Sequence, residues 1–147
     1  MQTLGAGSAT VPFPAQISRG FVQSPMFRIG SVAVCSCAGK AVVLASVAGH
    51  LLHDIGIPDA SAYQAVESLM SGALANMKQT LPDDALTGPV VRGDAETVAK
   101  HLRALQGQSA ASEVYRALSA AAVEIAERRG VDPKKLAAVS GLVRTAR

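Results

Sequence analysis

Between Leu81 and Gly93 the chain reads LPDDALTGPVVRG, and Asp94 follows at once. Thr87 offers a hydroxyl. Gly88 and Gly93 let backbone approach a ligand or take positive φ. Pro89 stiffens the turn, and Arg92 carries a guanidinium able to grip a carboxylate or phosphate through two parallel bonds. Asp94 then opens an amphipathic helix, DAETVAKHLRAL, whose first N–H groups face back toward the loop. Glycines and an arginine leading into a helix start form an arrangement that binds anions. The bland alternative is that Thr87 and Asp94 are turn and cap residues and Arg92 is solvated. Asp94 also places a negative charge where an anion would sit.

The other reactive side chains carry weaker patterns. His50 and His53 share a helical face, a spacing compatible with a metal, but only the adjacent Asp54 stands near them. They read as histidines at a helix C-terminus, where positive charge suits the dipole. His101 lies beside the apolar stripe of its helix and reads as a structural histidine able to bond toward the loop. Cys35 and Cys37, on a helix, point about 200° apart. They can neither pair nor share a metal, and they read as buried small apolar residues. No Ser/His/Asp or Cys/His grouping points to nucleophilic catalysis. Gly-Ala-Gly at 5–7 lacks the preceding strand and the third glycine of a dinucleotide fingerprint.

Helices must position these groups. The spacing predicts an all-α bundle of about five helices over 31–147, preceded by an irregular arm at 1–30. The first helix spans 31–55 and stops at Gly56, with Pro58 beyond. Gly39 and Gly49 lie inside it and invite close helix packing. The second opens with Asp59 as N-cap and ends near Thr80. Val66, Leu69, Met70, Ala73, Leu74 and Met77 fall on one of its faces. The third starts at Asp94 with the stripe Val98, Leu102 and Leu105. The fourth covers 110–129, with Arg128 and Arg129 suiting the dipole in its last turn. The fifth has Asp132 as cap, Pro133 at its first position, and an end near Ala146.

Composition narrows the function classes. A chain of 147 residues is long enough for one buried core. Aromatics are 3% and Trp is absent, so that core is Ala, Val and Leu. A net charge of +3, dispersed, with no aromatic platform, argues against nucleic acid as a partner. The N-terminus lacks the basic and apolar regions of a signal peptide. Lys40 interrupts the one long apolar stretch, 29–57, leaving runs shorter than the roughly 20 residues a membrane span needs. The expected location is cytoplasmic, with no membrane and no metal.

The segment ALTGPVVRGDAETVAKHLRAL resembles the signature of a family of Rossmann-type NADP-dependent oxidoreductases. Their helical C-terminal half is known as domain of unknown function 2520. The matching positions are Ala85 to Pro89, Arg92 to Asp94, Thr97, Val98, His101 and Leu102. Asn76 and Tyr115 also resemble family positions, and the likeness covers roughly 31–128. It implies a 6-phosphogluconate dehydrogenase C-terminal-like bundle that forms a homodimer and closes the substrate side of a cleft. It implies Asn76, Thr87, Gly88, Arg92 and Asp94 as substrate-side residues for a small molecule. Lys40, on the helix that carries acid/base lysines in related dehydrogenases, is the catalytic candidate; its alternative is a lysine reaching solvent from an apolar helix.

The likeness has departures. Relatives begin the long helix with Tyr-His and carry Asn eight residues later; here Gly30, Ser31 and Gly39 stand at those places. Residues 1–30 give no strand, glycine-rich turn and helix in order. The expected chain is therefore the helical half without its dinucleotide-binding domain, as a gene fragment or part of a split enzyme. It binds no cofactor alone, with NADP held by a separate Rossmann partner. Two alternatives stand beside this one: a stand-alone module binding a small anion, and a non-catalytic interaction protein.

Overall fold

The computed structural model describes residues 25–144. Among the described residues six helices follow one another: α1 Pro25–Asp54, α2 Asp59–Gln79, α3 Pro82–Ala85, α4 Ala95–Ala104, α5 Ser109–Arg128 and α6 Pro133–Arg144. The all-α bundle is as expected, and no strand occurs among the described residues. The chain divides into two compact units, Met1–Lys40 and Ala41–Arg147. Of the first, the described part is the opening run of α1. The expected arm over 1–24 and the tail at 145–147 lie outside the described residues. Gly30 and Ser31, the expected boundary of the arm, both fall inside α1, which opens with Pro25. Proline suits a first helical position because its missing N–H has no partner to lose there.

The described core of the second unit is mostly valine, with alanine and one leucine. Val90, Val98, Val123, Val139 and Val143 form one buried cluster, with Leu102, Tyr115 and Leu142 packed against it. Val91, Ala126 and Leu136 form another, against Leu86 and Val131. These residues come from the loop before α4 and from α4, α5 and α6. Each fully buried valine contributes on the order of 1.5–3 kcal/mol of transfer free energy. Arg116 ties α5 to α6 by donating to the Leu142 carbonyl at 2.6 Å. Gln108 Nε2 ties the start of α5 to Asp54 Oδ2, at the end of α1, at 2.8 Å.

The face predicted for α2 is only partly buried. Ala62 and Val66 are inside, whereas Leu69 is 76% exposed, Leu74 55% and Met77 42%. Helical period marks a face as apolar, but covering it requires a neighbour. Val42 and Val43 on α1 are also exposed. Of the two glycines expected to admit a helix, Gly49 does so: a Cβ there would come 2.4 Å from the Tyr63 ring of α2. Gly39 has nothing within 4 Å of a Cβ. Cys37 is exposed rather than buried, since hydropathy sets a preference that only a partner surface can fulfil. The side chain of Cys35 lies outside the described residues.

Asp59 does not cap α2. The capping position is Pro58, and Asp59 is the first helical residue. Its carboxylate instead meets His53 Nδ1 at 2.8 Å, tying the end of α1 to the start of α2. Among the described residues no helix is long and apolar enough to cross a membrane.

Candidate functional site

The loop that carries the signature is a built structure. Thirteen irregular residues were expected; instead Pro82–Ala85 form the short helix α3. Beyond it, Gly93 N–H donates to the Val90 carbonyl at 3.0 Å and Asp94 N–H to the Pro89 carbonyl at 2.9 Å. These bonds close a tight double turn. Val90 and Val91 are its anchors, each 8% exposed, and each enters a different core cluster. Successive residues can do this because the turn sends their side chains opposite ways.

Two glycines allow this path for different reasons. Gly93 has φ +65°, and a Cβ there would sit 2.5 Å from the Cβ of Lys135 on α6. Gly88 has φ +112° with nothing near a Cβ, so its constraint is backbone conformation alone.

The end of α5 clamps the other flank. Arg129 Nη1 donates to the Leu86 carbonyl at 2.7 Å and to the Asp83 carbonyl at 3.4 Å. Arg128 reaches the Asp83 carboxylate through Nε at 2.9 Å and Nη2 at 2.8 Å. The sequence offered these arginines as partners of the helix dipole. Their role as clamps depends on a contact between distant segments that local pattern does not encode.

Asp94 caps α4 as expected. Its Oδ1 accepts from Thr97 N–H at 3.0 Å and its Oδ2 from the Thr97 hydroxyl at 2.7 Å. The Thr97 backbone bond, then its hydroxyl, hold the carboxyl below the usual aspartate value, with smaller help from Arg92 and Lys100. The carboxylate thus occupies the helix end where an external anion would bind. Thr87 and Arg92 are exposed at the loop's outer surface. Chain proximity gathers Thr87, Gly88, Arg92 and Asp94. Asn76 is exposed on α2, where its carbonyl takes the Thr80 N–H at 3.2 Å. Lys40 is exposed and is the last residue of the first unit.

Beside the loop lies a cleft of about 310 Å³. Val47, Ala48 and Leu51 of α1 line it, with Leu86 from the loop and Tyr115, Leu118 and Ser119 from α5. Tyr115 Oη lies 3.0 Å from His101 Nδ1, and the two rings meet edge to face at 5.7 Å. Burial raises the Tyr115 phenol above its ordinary value, opposed by a hydrogen bond with Ser119. His101 is exposed and bonds to Tyr115 rather than to the loop. The sequence signal was that His101 lies in the signature and Tyr115 at a further family-like position; only the fold brings them together. A second cleft, of about 500 Å³, is lined by Arg103, Gln106, Ser109, Ser112 and Arg116. There the Arg116 guanidinium serves the Leu142 carbonyl.

A nicotinamide dinucleotide needs a glycine-rich turn between strand and helix to cradle its pyrophosphate. The described residues contain no strand, and the α4 N-terminus already holds a carboxylate. Among the described residues that strand, turn and helix cradle is absent. Among the described residues no three of His, Cys, Asp and Glu group as metal ligands.

Residues 31–122 match the family described as a domain of unknown function, DUF2520. The chain belongs to that family. No curated protein and no solved structure matches it.

Proposed function

We propose that this chain is the helical dimerisation and substrate-side domain of a Rossmann-type NAD(P)-dependent oxidoreductase. The observation that carries this reading is the preformed signature loop. It is anchored by Val90 and Val91, clamped by Arg128 and Arg129, and presents Thr87 and Arg92 outward beside a cleft. A rigid edge of this kind suits one wall of a substrate site whose other wall is a separate body. A Rossmann domain, on the same polypeptide or another, supplies the nicotinamide cofactor. The exposed apolar residues Val42, Val43, Leu69, Leu74 and Met77 support a homodimer, because surfaces of this kind are commonly covered by partners.

The test is light scattering together with NADPH titration of the purified chain, followed by nucleotide fluorescence. A dimer mass without NADPH binding is expected. A monomer at micromolar concentration overturns the dimer. Saturable NADPH binding by this chain alone overturns the assignment of the cofactor to a separate body.

A further inference from the structure

The cleft beside the loop has a chemistry distinct from that of the loop itself. Val47, Leu51, Leu86 and Leu118 make its walls aliphatic, and no Asp, Glu, Lys or Arg lines it. Its polar side chains are Tyr115 and Ser119, one helical turn apart on α5 and so on one face. A charged head would find no counter-charge among these side chains, which offer it apolar surface instead. A neutral ligand needs no counter-charge. About 310 Å³ lies at the lower end of the range for small-molecule sites.

We infer that this cleft binds a small neutral molecule with an alicyclic or aliphatic body and one carbonyl group, whose oxygen accepts a hydrogen bond from Tyr115 Oη. His101 completes the arrangement. With its Nδ1 as donor to the phenol oxygen at 3.0 Å, the phenol hydrogen is left for the ligand. A tyrosine phenol is neutral, and therefore a donor, through the physiological range, and burial raises it further. As the substrate class of the proposed oxidoreductase, the inference rests on that reading; as a binding site, it rests on the cleft alone.

Cyclohexanone is the probe. The intact chain is labelled at its methyl groups and titrated, with NMR shifts followed at Val47, Leu51, Leu86 and Leu118. Saturable shifts at these methyls are expected. Tyr115→Phe should weaken binding about five- to tenfold, the loss of one hydrogen bond, with the circular dichroism spectrum unchanged. Ala48→Leu fills the cleft while keeping Tyr115 itself and should abolish binding, which covers the case of a poorly folded Tyr115→Phe. Cyclohexanecarboxylate should bind at least tenfold more weakly than the ketone.

Equal affinity for the two probes, or an unchanged affinity in Tyr115→Phe, overturns the ligand class. Shifts absent through the millimolar range, or scattered and unsaturable, overturn the site. Light scattering on the same sample reports the dimer independently. A dimer without ketone binding sinks this inference alone, and ketone binding by a monomer sinks only the dimer.

Discussion

Replacing Gly93 by alanine should be among the most damaging single-methyl changes available to this chain. Two costs add at that position. The φ of +65° is left-handed, which for a residue with a Cβ costs roughly 1–2 kcal/mol. The new methyl would also stand 2.5 Å from Lys135 Cβ, far inside contact distance. That atom is fixed to the α6 backbone and cannot swing aside, so the loop and α6 must separate. Overpacking of this kind costs about 1–3 kcal/mol. Together they give about 2–5 kcal/mol, a large share of the roughly 5–15 kcal/mol that holds a domain folded. Gly88→Ala is the matched control. Its φ of +112° also disfavours alanine, but nothing lies within 4 Å of the new methyl. It should therefore lose only the backbone cost, about 1–3 kcal/mol. Urea denaturation followed by circular dichroism gives both numbers. Lys135→Gly in the Gly93→Ala background removes the colliding atom and should restore about 1–2 kcal/mol beyond additivity. If Lys135→Gly restores nothing, the close approach of loop and α6 is wrong.

Three further outcomes are expected. Arg129→Ala removes both carbonyl bonds that hold the loop and should cost about 1 kcal/mol, with earlier proteolytic cutting across 83–92; an unchanged cutting pattern would show that the clamp is idle. The folded Asp94 carboxyl lies below its ordinary 3.8, so its contribution to stability is fully present above that value and is lost as pH falls through the lowered one. Asp94→Asn keeps the cap oxygen but not the charge, so the stability gap between the two proteins should close on acidification; a gap constant down to the acid transition refutes this. Leu69→Lys should convert a dimer to a monomer with little change in melting temperature, because Leu69 is exposed within the chain; a dimer that survives would place the interface elsewhere.

Helix ends were readable wherever one residue decides them. Asp94 at the start of α4 and the Asp132-Pro133 pair at the start of α6 act through atoms two or three residues away, and the structure has both. Asp59 failed as a cap because Pro58 takes the capping position and His53 offers its carboxylate a partner across the turn. The stripe on α2 was correctly apolar at Val66 but not covered at Leu69, Leu74 and Met77, since periodicity ranks faces without supplying neighbours. The loop was singled out by its composition. Its internal bonds, the short helix α3 and the Arg128 and Arg129 clamps needed tertiary contacts with α5 and α6. The pairing of His101 with Tyr115 needed both α4 and α5 to pack on α6 in the same way.

The buttresses of the loop have a consequence for the order in which the chain can assemble. Val91 packs on Ala126 and Leu136, Gly93 abuts Lys135, and Leu86 is held by Arg129. All of these partners follow the loop in sequence, and all lie beyond residue 122, where the family match ends. During synthesis the signature emerges from the ribosome before any of these supports. Its own turn bonds, from Gly93 to Val90 and from Asp94 to Pro89, are local, whereas the clamp and the contact with Lys135 wait for the end of α5 and for α6. A chain cut after Ala122 should keep every letter of the signature and lose these supports.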